Sequence, residues 1–112
     1  LITSLSINVQ EYKVDRLEKM HTWFPNRQFI CVGDSTQKDP ESYGDIARRH
    51  PGWIKAIYIR RVSDENDVQG ALNPDRNSNK RFAAAFNGLD PKTWLVFDEA
   101  DEVRRHVQLL VR

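Results

Sequence analysis

The pattern of hydrophobic and polar residues along this chain predicts helices and strands in alternating order. Over residues 13–24 the apolar side chains recur every three or four positions, which predicts an amphipathic helix that Pro25 ends. The following run, residues 28–32, is apolar without alternation and is typical of a parallel strand covered on both faces. Residues 33–35 end it. The first part of the chain therefore predicts a helix followed by a buried strand.

Two further helix and strand units follow in the same order. Residues 39–50 predict a helix with Asp39 as its N-cap and Pro40 in its first turn, and the β-branched and aromatic run 54–59 predicts a second strand. The polar stretch 63–77 predicts a long loop. The remaining predicted elements are a helix around residues 82–89, a strand over 93–97 and a helix over 100–110 capped by Asp98.

This order of elements predicts the fold class. Parallel strands need crossover connections, and here the segments between strands are helical. We therefore expect an α/β fold, with an open parallel sheet of about three strands between layers of about four helices. At 112 residues, the whole chain 1–112 is expected to form one domain unit.

Composition narrows the function classes. The formal net charge of only +1 gives no indication of a nucleic-acid-binding protein. No apolar stretch approaches the ~20 residues that cross a bilayer, so any membrane contact is expected to be peripheral. Cys31 is the only cysteine, which excludes an internal disulfide and a multi-cysteine zinc site. The chain also starts without Met, which suggests a piece of a longer protein.

One loop carries candidate chemistry. Residues 33–39 follow the first predicted strand, and ligands of open α/β sheets gather at the carboxyl ends of the strands. Asp34 and Asp39 lie five positions apart there and could share one hard cation such as Mg²⁺. The alternative is purely structural, since Asp34 could start a turn and Asp39 could cap the helix.

Other chemistry finds less support. No Gly-x-Ser-x-Gly elbow surrounds Ser35, and the three histidines lie in helical patterns without an evident pairing, which argues against a serine triad. Most of the arginines are expected to lie on the solvent-exposed surface without a functional role. Arg60 stands out because it ends the second predicted strand and would lie at the same edge as the acidic loop.

A longer ordered pattern resembles a known family. Its residues are 24–25, 29–35, 38–41, 43, 46–49 and 57–60. This pattern closely resembles the catalytic domain of the fungal actin-patch phosphatidate phosphatases and their bacterial relatives, within the haloacid dehalogenase superfamily. The resemblance spans residues 13–62, about half of the chain.

The resemblance implies roles for particular residues. It places Mg²⁺ binding on Asp34 and Asp39, and it places on Lys13 the catalytic lysine that pairs with the phosphoryl group and the attacking carboxylate. Ser35 and Arg60, beside that loop, are the candidate phosphate-binding residues. For Lys13 the alternative is an ordinary exposed lysine at a helix start. The resemblance also implies conversion of phosphatidate to diacylglycerol, cytoplasmic cortical actin patches as the location, and partners there.

One part of the family reaction is missing from this sequence. The family uses an Asp-x-Asp-x-Thr nucleophile signature, and the chain contains none. We therefore expect the metal-binding, C-terminal part of a catalytic domain, inactive alone. In the resembled fold, strand 28–32 lies between the nucleophile strand and the strand ending at Arg60. Its outer edge should be bare, or covered by residues 1–9 or by self-association.

Two other classes of function remain open from the sequence. A non-catalytic α/β interaction module would lack the nucleophile signature in the full coding sequence as well. A receiver-like signalling domain also places acids and a lysine at strand ends, but its phosphoacceptor aspartate lies on a middle strand. Here Asp34 and Asp39 share one loop, which fits a receiver less well.

Overall fold

A parallel three-stranded sheet in the order β1-β2-β3 forms the centre of the computed structural model, which describes residues 9–63 and 74–111. The elements are α1 (Val9–Trp23), β1 (Phe29–Asp34), α2 (Asp39–Arg49), β2 (Ile54–Arg60), α3 (Asn79–Ala85), a 3-10 turn (Pro91–Thr93), β3 (Trp94–Phe97) and α4 (Ala100–Leu110). The predicted α/β class, with three parallel strands and four α-helices in the described ranges, is confirmed.

The strand register brings the three carboxyl ends to one edge of the sheet. Asp34 at the end of β1 is level with Arg60 at the end of β2, and Arg60 is level with Phe97 at the end of β3. Each loop that follows a strand therefore starts at this carboxyl edge, where α/β proteins collect their ligands.

One face of the sheet carries the larger core. Helices α1, α2 and α3 cover it, and the buried side chains there include Val14, Ile46, Ile57 and Phe82. Helices α2 and α3 approach closely at Gly44, where an added Cβ would lie 1.9 Å from the carbonyl oxygen of Ala85. A glycine is therefore required at that contact.

Helix α4 covers the opposite face over β2 and β3. Val103, Val107 and Leu110 pack against a smaller cluster that contains Tyr58 and Phe97. The Tyr58 hydroxyl is 2.8 Å from Nδ1 of His106, which ties β2 to α4.

Strand β1 lies at the edge of the sheet and is covered on one face within the described residues. Cys31 is buried, whereas Ile30 and Val32 are 48% and 63% exposed, because α4 packs over β2 and β3 instead. The prediction of a strand covered on both faces is therefore wrong for the described part of the chain. The predicted bare outer edge agrees with the strand order. Of residues 1–9, proposed as its cover, residues 1–8 lie outside the described ranges and Val9 is the first residue of α1.

Helix boundaries differ from the predictions in three places. Helix α1 begins at Val9, so Lys13 lies in its second turn rather than at its start. Asp39 is the first residue of α2 and not its cap, because Lys38 holds the cap position. Glu99, not Asp98, caps α4, where Glu102 Oε2 accepts the backbone N–H of Glu99 at 2.9 Å.

The long polar loop is only partly described, since residues 64–73 fall outside the described ranges. Within those ranges, no helix combines the length and apolar character that a bilayer span requires.

Candidate active site at the carboxyl edge of the sheet

Three elements bring the predicted site residues together. Strand β1 ends at Asp34, α2 begins at Asp39, and α1 places Lys13 across from both. The Asp39 carboxylate accepts a hydrogen bond from Lys13 Nζ through Oδ1, and from the Asp34 backbone N–H at 3.3 Å through Oδ2. Lys13 Nζ also donates to Gln37 Oε1 at 3.2 Å. The predicted lysine and the two predicted acids thus form one contiguous group.

Gly33 allows this close arrangement. A Cβ at that position would lie 2.5 Å from Asp39 Oδ2, well inside van der Waals contact. The Asp39 side chain therefore lies directly over the backbone of Gly33, and a side chain there would displace it. The Gly-Asp pair in the sequence reflects this packing requirement as well as a turn.

The Asp34 carboxyl group is held in its ionised form. A hydrogen bond from the Thr36 hydroxyl to Oδ1 is the main cause that lowers its pKa, and partial burial opposes this effect. The Thr36 backbone N–H, at 2.9 Å from Oδ1, and the positive charges of Lys13 and Arg60 lower that pKa further. No described residue donates a hydrogen bond to Oδ2 of Asp34.

Arg60 lies beside Asp34 at the same edge. It is the last residue of β2, it is exposed, and its charge acts on the Asp34 carboxylate. The next residue is committed elsewhere, since Arg61 Nη1 donates to Asp98 Oδ2 at 2.7 Å. Arg60 is therefore placed to meet an anion that approaches the acidic loop.

Ser35 is buried, and its polar groups form hydrogen bonds within the chain. The residue is 1% exposed, and its Oγ accepts the Val62 backbone N–H at 2.9 Å. Its own N–H donates to the Arg60 carbonyl oxygen at 3.1 Å. These contacts argue against the predicted phosphate-binding role and give Ser35 a structural one, joining the loop after β1 to the loop after β2.

Comparison with known proteins assigns the segment that carries this site to a family. The family described as phosphatidate phosphatase APP1, catalytic domain, matches residues 1–61 of the 112. The chain belongs to this family. Lys13, Asp34, Asp39 and Arg60 all lie inside the matched segment, and the predicted resemblance is confirmed.

A curated relative matches a shorter part of the chain. Phosphatidate phosphatase APP1 of Saccharomyces cerevisiae is 49% identical over 41 residues, which are 37% of this chain and 7% of the yeast protein. The chain thus matches a small part of the length of that curated relative. No solved structure matches the chain.

The donor set at this edge fits Mg²⁺ better than a softer metal. Asp34 and Asp39 supply carboxylate oxygens, and Mg²⁺ commonly binds through one or two carboxylates while keeping several waters. Among the described residues, no group of three His, Cys, Asp or Glu side chains could hold a metal ion, so a protein-only cage is absent there. Asp39 already holds Lys13, which leaves Asp34 as the acid better placed to bind a cation.

Sequence reasoning missed the residues that hold the acidic loop in place. Arg81 of α3 reaches the loop between β1 and α2, and Glu41 of α2 pairs with it at 2.8 Å. Tyr43 donates its hydroxyl to the Val32 carbonyl oxygen at 3.2 Å, and burial raises the pKa of Tyr43 to about 12. Nothing local marks Arg81 in the sequence, because its partners in the acidic loop and in α2 lie 40 to 46 positions away.

Proposed function

We propose that this chain is the Mg²⁺- and phosphate-binding part of a phosphatidate phosphatase that releases phosphate from a lipid phosphate and leaves diacylglycerol. The observation that carries the proposal is the contact of Lys13 with Asp39, beside Asp34 and Arg60, inside the segment that matches the family. Two carboxylates and two cations meet at one edge of the sheet. Phosphoryl transfer needs such a mixture, since it is catalysed largely by positioning and by stabilising charge.

Each residue takes a separate role in this proposal. Asp34, held ionised by Thr36, is the carboxylate that binds Mg²⁺, and the bound ion would neutralise charge on the phosphate. Asp39 orients Lys13. Asp39 could bind the cation as well only if its carboxylate contacted the cation and Lys13 at the same time. Lys13 and Arg60 offer positive charge to the phosphoryl oxygens. Lysine suits this role as a compact point charge.

The attacking group is expected elsewhere in the intact protein. The haloacid dehalogenase-type reaction uses an aspartate in an Asp-x-Asp-x-Thr signature, which this sequence lacks. The 112-residue chain alone should therefore release no phosphate from phosphatidate. Peripheral contact with a membrane follows from a lipid substrate, while cytoplasmic cortical actin patches and partners there remain predictions from the family resemblance.

The test is phosphate release from phosphatidate by the intact protein across a Mg²⁺ titration. Asp34→Asn should lower turnover by at least ~10²-fold, because it removes charge from the cation site while keeping the side-chain shape. Asp45→Asn is the matched control. Asp45 lies on α2 and pairs with Arg49 at 3.1 Å, away from the loop, so its loss should change turnover little.

Two results would overturn the proposal. Activity of Asp34→Asn equal to that of the wild type at every Mg²⁺ concentration would reject the role of Asp34. Absence of an Asp-x-Asp-x-Thr signature from the intact protein, together with no phosphatase activity, would favour the non-catalytic interaction module instead.

A further inference from the structure

The guanidinium group of Arg81 connects the acidic loop to α2 and α3. Nε and Nη2 donate to the two carboxylate oxygens of Glu41, at 2.8 Å and 3.2 Å. This fork is the bidentate geometry in which arginine pairs most strongly with a carboxylate. Glu41 lies in the first turn of α2, so the pair joins α3 to the helix that starts with Asp39.

The remaining donors of Arg81 bind backbone carbonyls. Nη1 donates to the carbonyl oxygens of Ser35 and Arg76, each at 2.7 Å, and Nη2 donates to that of Gln37 at 2.6 Å. A guanidinium has five N–H donors. The three contacts with carbonyl oxygens and the two with Glu41 together use all five. The side chain thus binds the loop on both sides of Thr36, the residue that hydrogen-bonds Asp34.

Capping and burial hold α3, the helix that carries Arg81, in place. Ser78 caps α3 and accepts the Arg81 backbone N–H at 3.1 Å, and the next residue, Phe82, is 2% exposed. The Arg81 side chain itself is 16% exposed. Arg81 therefore extends from a capped and packed helix to a loop in which Thr36 and Gln37 are exposed.

We propose that Arg81 is a positioning residue for the candidate site: it holds the loop between Asp34 and Asp39 in the geometry that the site needs. Arg81 lies beyond residues 1–61, so the site depends on a part of the chain that the family match does not cover. The inference about loop position stands on the contacts alone, and its consequence for Mg²⁺ rests on the proposed function. Lysine cannot replace arginine here, since one ammonium cannot reach three carbonyls and a carboxylate fork together.

The chain offers a matched control for this contact. Arg48 of α2 also ties α2 to α3, donating from Nη1 to the carbonyl oxygens of Ala85 and Asn87 at 2.8 Å and 3.1 Å. It acts at the end of α3 and touches no residue of the acidic loop. Arg48→Ala therefore removes an arginine tie between the same two helices without releasing the loop.

The first measurement is amide hydrogen exchange, residue by residue, in the full 112-residue chain. Arg81→Lys should speed exchange at Asp34 and Thr36 by at least ~10-fold relative to the wild type, while exchange within β2 stays within about twofold. Arg48→Ala should leave the ratio of loop to β2 exchange unchanged. Arg81→Lys keeps a cation opposite Glu41 and is expected to fold even where Arg81→Ala does not.

The second measurement is made on the intact protein. Arg81→Lys should raise the Mg²⁺ concentration for half-maximal phosphate release by about tenfold, with a smaller loss of turnover at saturating Mg²⁺, as expected for a displaced ligand. The same rise in Arg48→Ala, or loop exchange unchanged in Arg81→Lys, would overturn the positioning role. If loop exchange rises in Arg81→Lys while the wild-type intact protein shows no response to Mg²⁺, the positioning role of Arg81 is supported and the proposed function is rejected.

Discussion

The carboxyl and amino ends of the sheet differ in the side chains that surround them, and β1 runs from one end to the other. At its carboxyl end, Asp34 lies among charged groups held by hydrogen bonds. At its amino end, Phe29 packs against Trp53, with ring centroids 5.0 Å apart. His21 and His50 stack there at 3.6 Å, and His50 Nε2 is 2.8 Å from Glu18 Oε1.

The difference separates function from stability. Trp53 is 4% exposed and donates its indole N–H to the Phe24 carbonyl oxygen at 3.0 Å, so it contributes burial and anchors the turn before β1. The charged groups at the other end bury less surface and keep oxygens available for ligands. Substitutions at the carboxyl end should therefore change the reaction, and substitutions at the amino end should change the free energy of unfolding.

The largest expected effect is that of Lys13→Met on turnover by the intact protein. Methionine keeps much of the aliphatic stem but removes the charge that contacts Asp39, so turnover should fall by about 10²-fold. The free energy of unfolding should fall by only about 1 kcal/mol or less, because the ion pair is partly exposed. Phosphate release and urea unfolding check the two values. Turnover within threefold of the wild type would assign Lys13 to the structural alternative.

At the opposite end, Trp53→Ala should lower the free energy of unfolding by about 3–5 kcal/mol, the range for a large buried aromatic residue. The cost arises from the cavity among Phe29, His21 and His50. Turnover per folded molecule should remain close to that of the wild type. Trp23→Ala is the matched control, because Trp23 is 67% exposed and its loss should cost little. Equal losses in both variants would show that the aromatic cluster does not stabilise this end.

Near neutral pH the smallest expected effect is that of the Cys31 thiol, which lies between the two ends and changes stability only in alkaline solution. Burial, and to a lesser extent the Asp39 charge, raises the pKa of Cys31 from 9.0 to about 12. The folded chain keeps this proton while the unfolded chain loses it above pH 9. The contribution of this thiol to the free energy of unfolding should therefore be constant below that pH and fall between pH 9 and 12, by up to about 1.4 kcal/mol per pH unit.

Urea unfolding of the wild type and of Cys31→Ala at a series of pH values would measure this slope. Cys31→Ala should show a shallower decline. Burial also raises the pKa of Tyr43 to about 12 and raises that of Tyr58, so these two residues account for a decline that remains above pH 10. An identical pH dependence in both proteins would mean that the Cys31 thiol is not buried in solution.

Local patterns predicted the elements well and their covering less well. The apolar run 28–32 correctly indicates a strand, yet whether Ile30 and Val32 are covered depends on where α4 packs. The same limit applies at helix ends. Asp98 and Glu99 are adjacent acids before α4, and only the backbone conformation decides that Glu99 holds the cap position.

The candidate site shows the same division. Asp34 and Asp39 were accessible to sequence reasoning because they share a short loop after a strand. Ser35, between them, is also polar and in the same loop, but the chain turns its side chain inward to Val62. A side chain's direction in a loop depends on its distant partners, which local spacing does not specify.

By itself, the sequence determined the order of helices and strands, the parallel sheet and the acidic loop at its edge, since periodicity, glycine and proline act over a few residues. The family resemblance named Lys13, but only the tertiary structure decided that it contacts Asp39 and that Arg81 binds the same loop. Lys13 and Asp39 lie 26 positions apart, and Arg81 and Gln37 lie 44 apart. Such pairs form because packing of α1 and α3 on one face of the sheet carries them to the loop, and no local pattern encodes that approach.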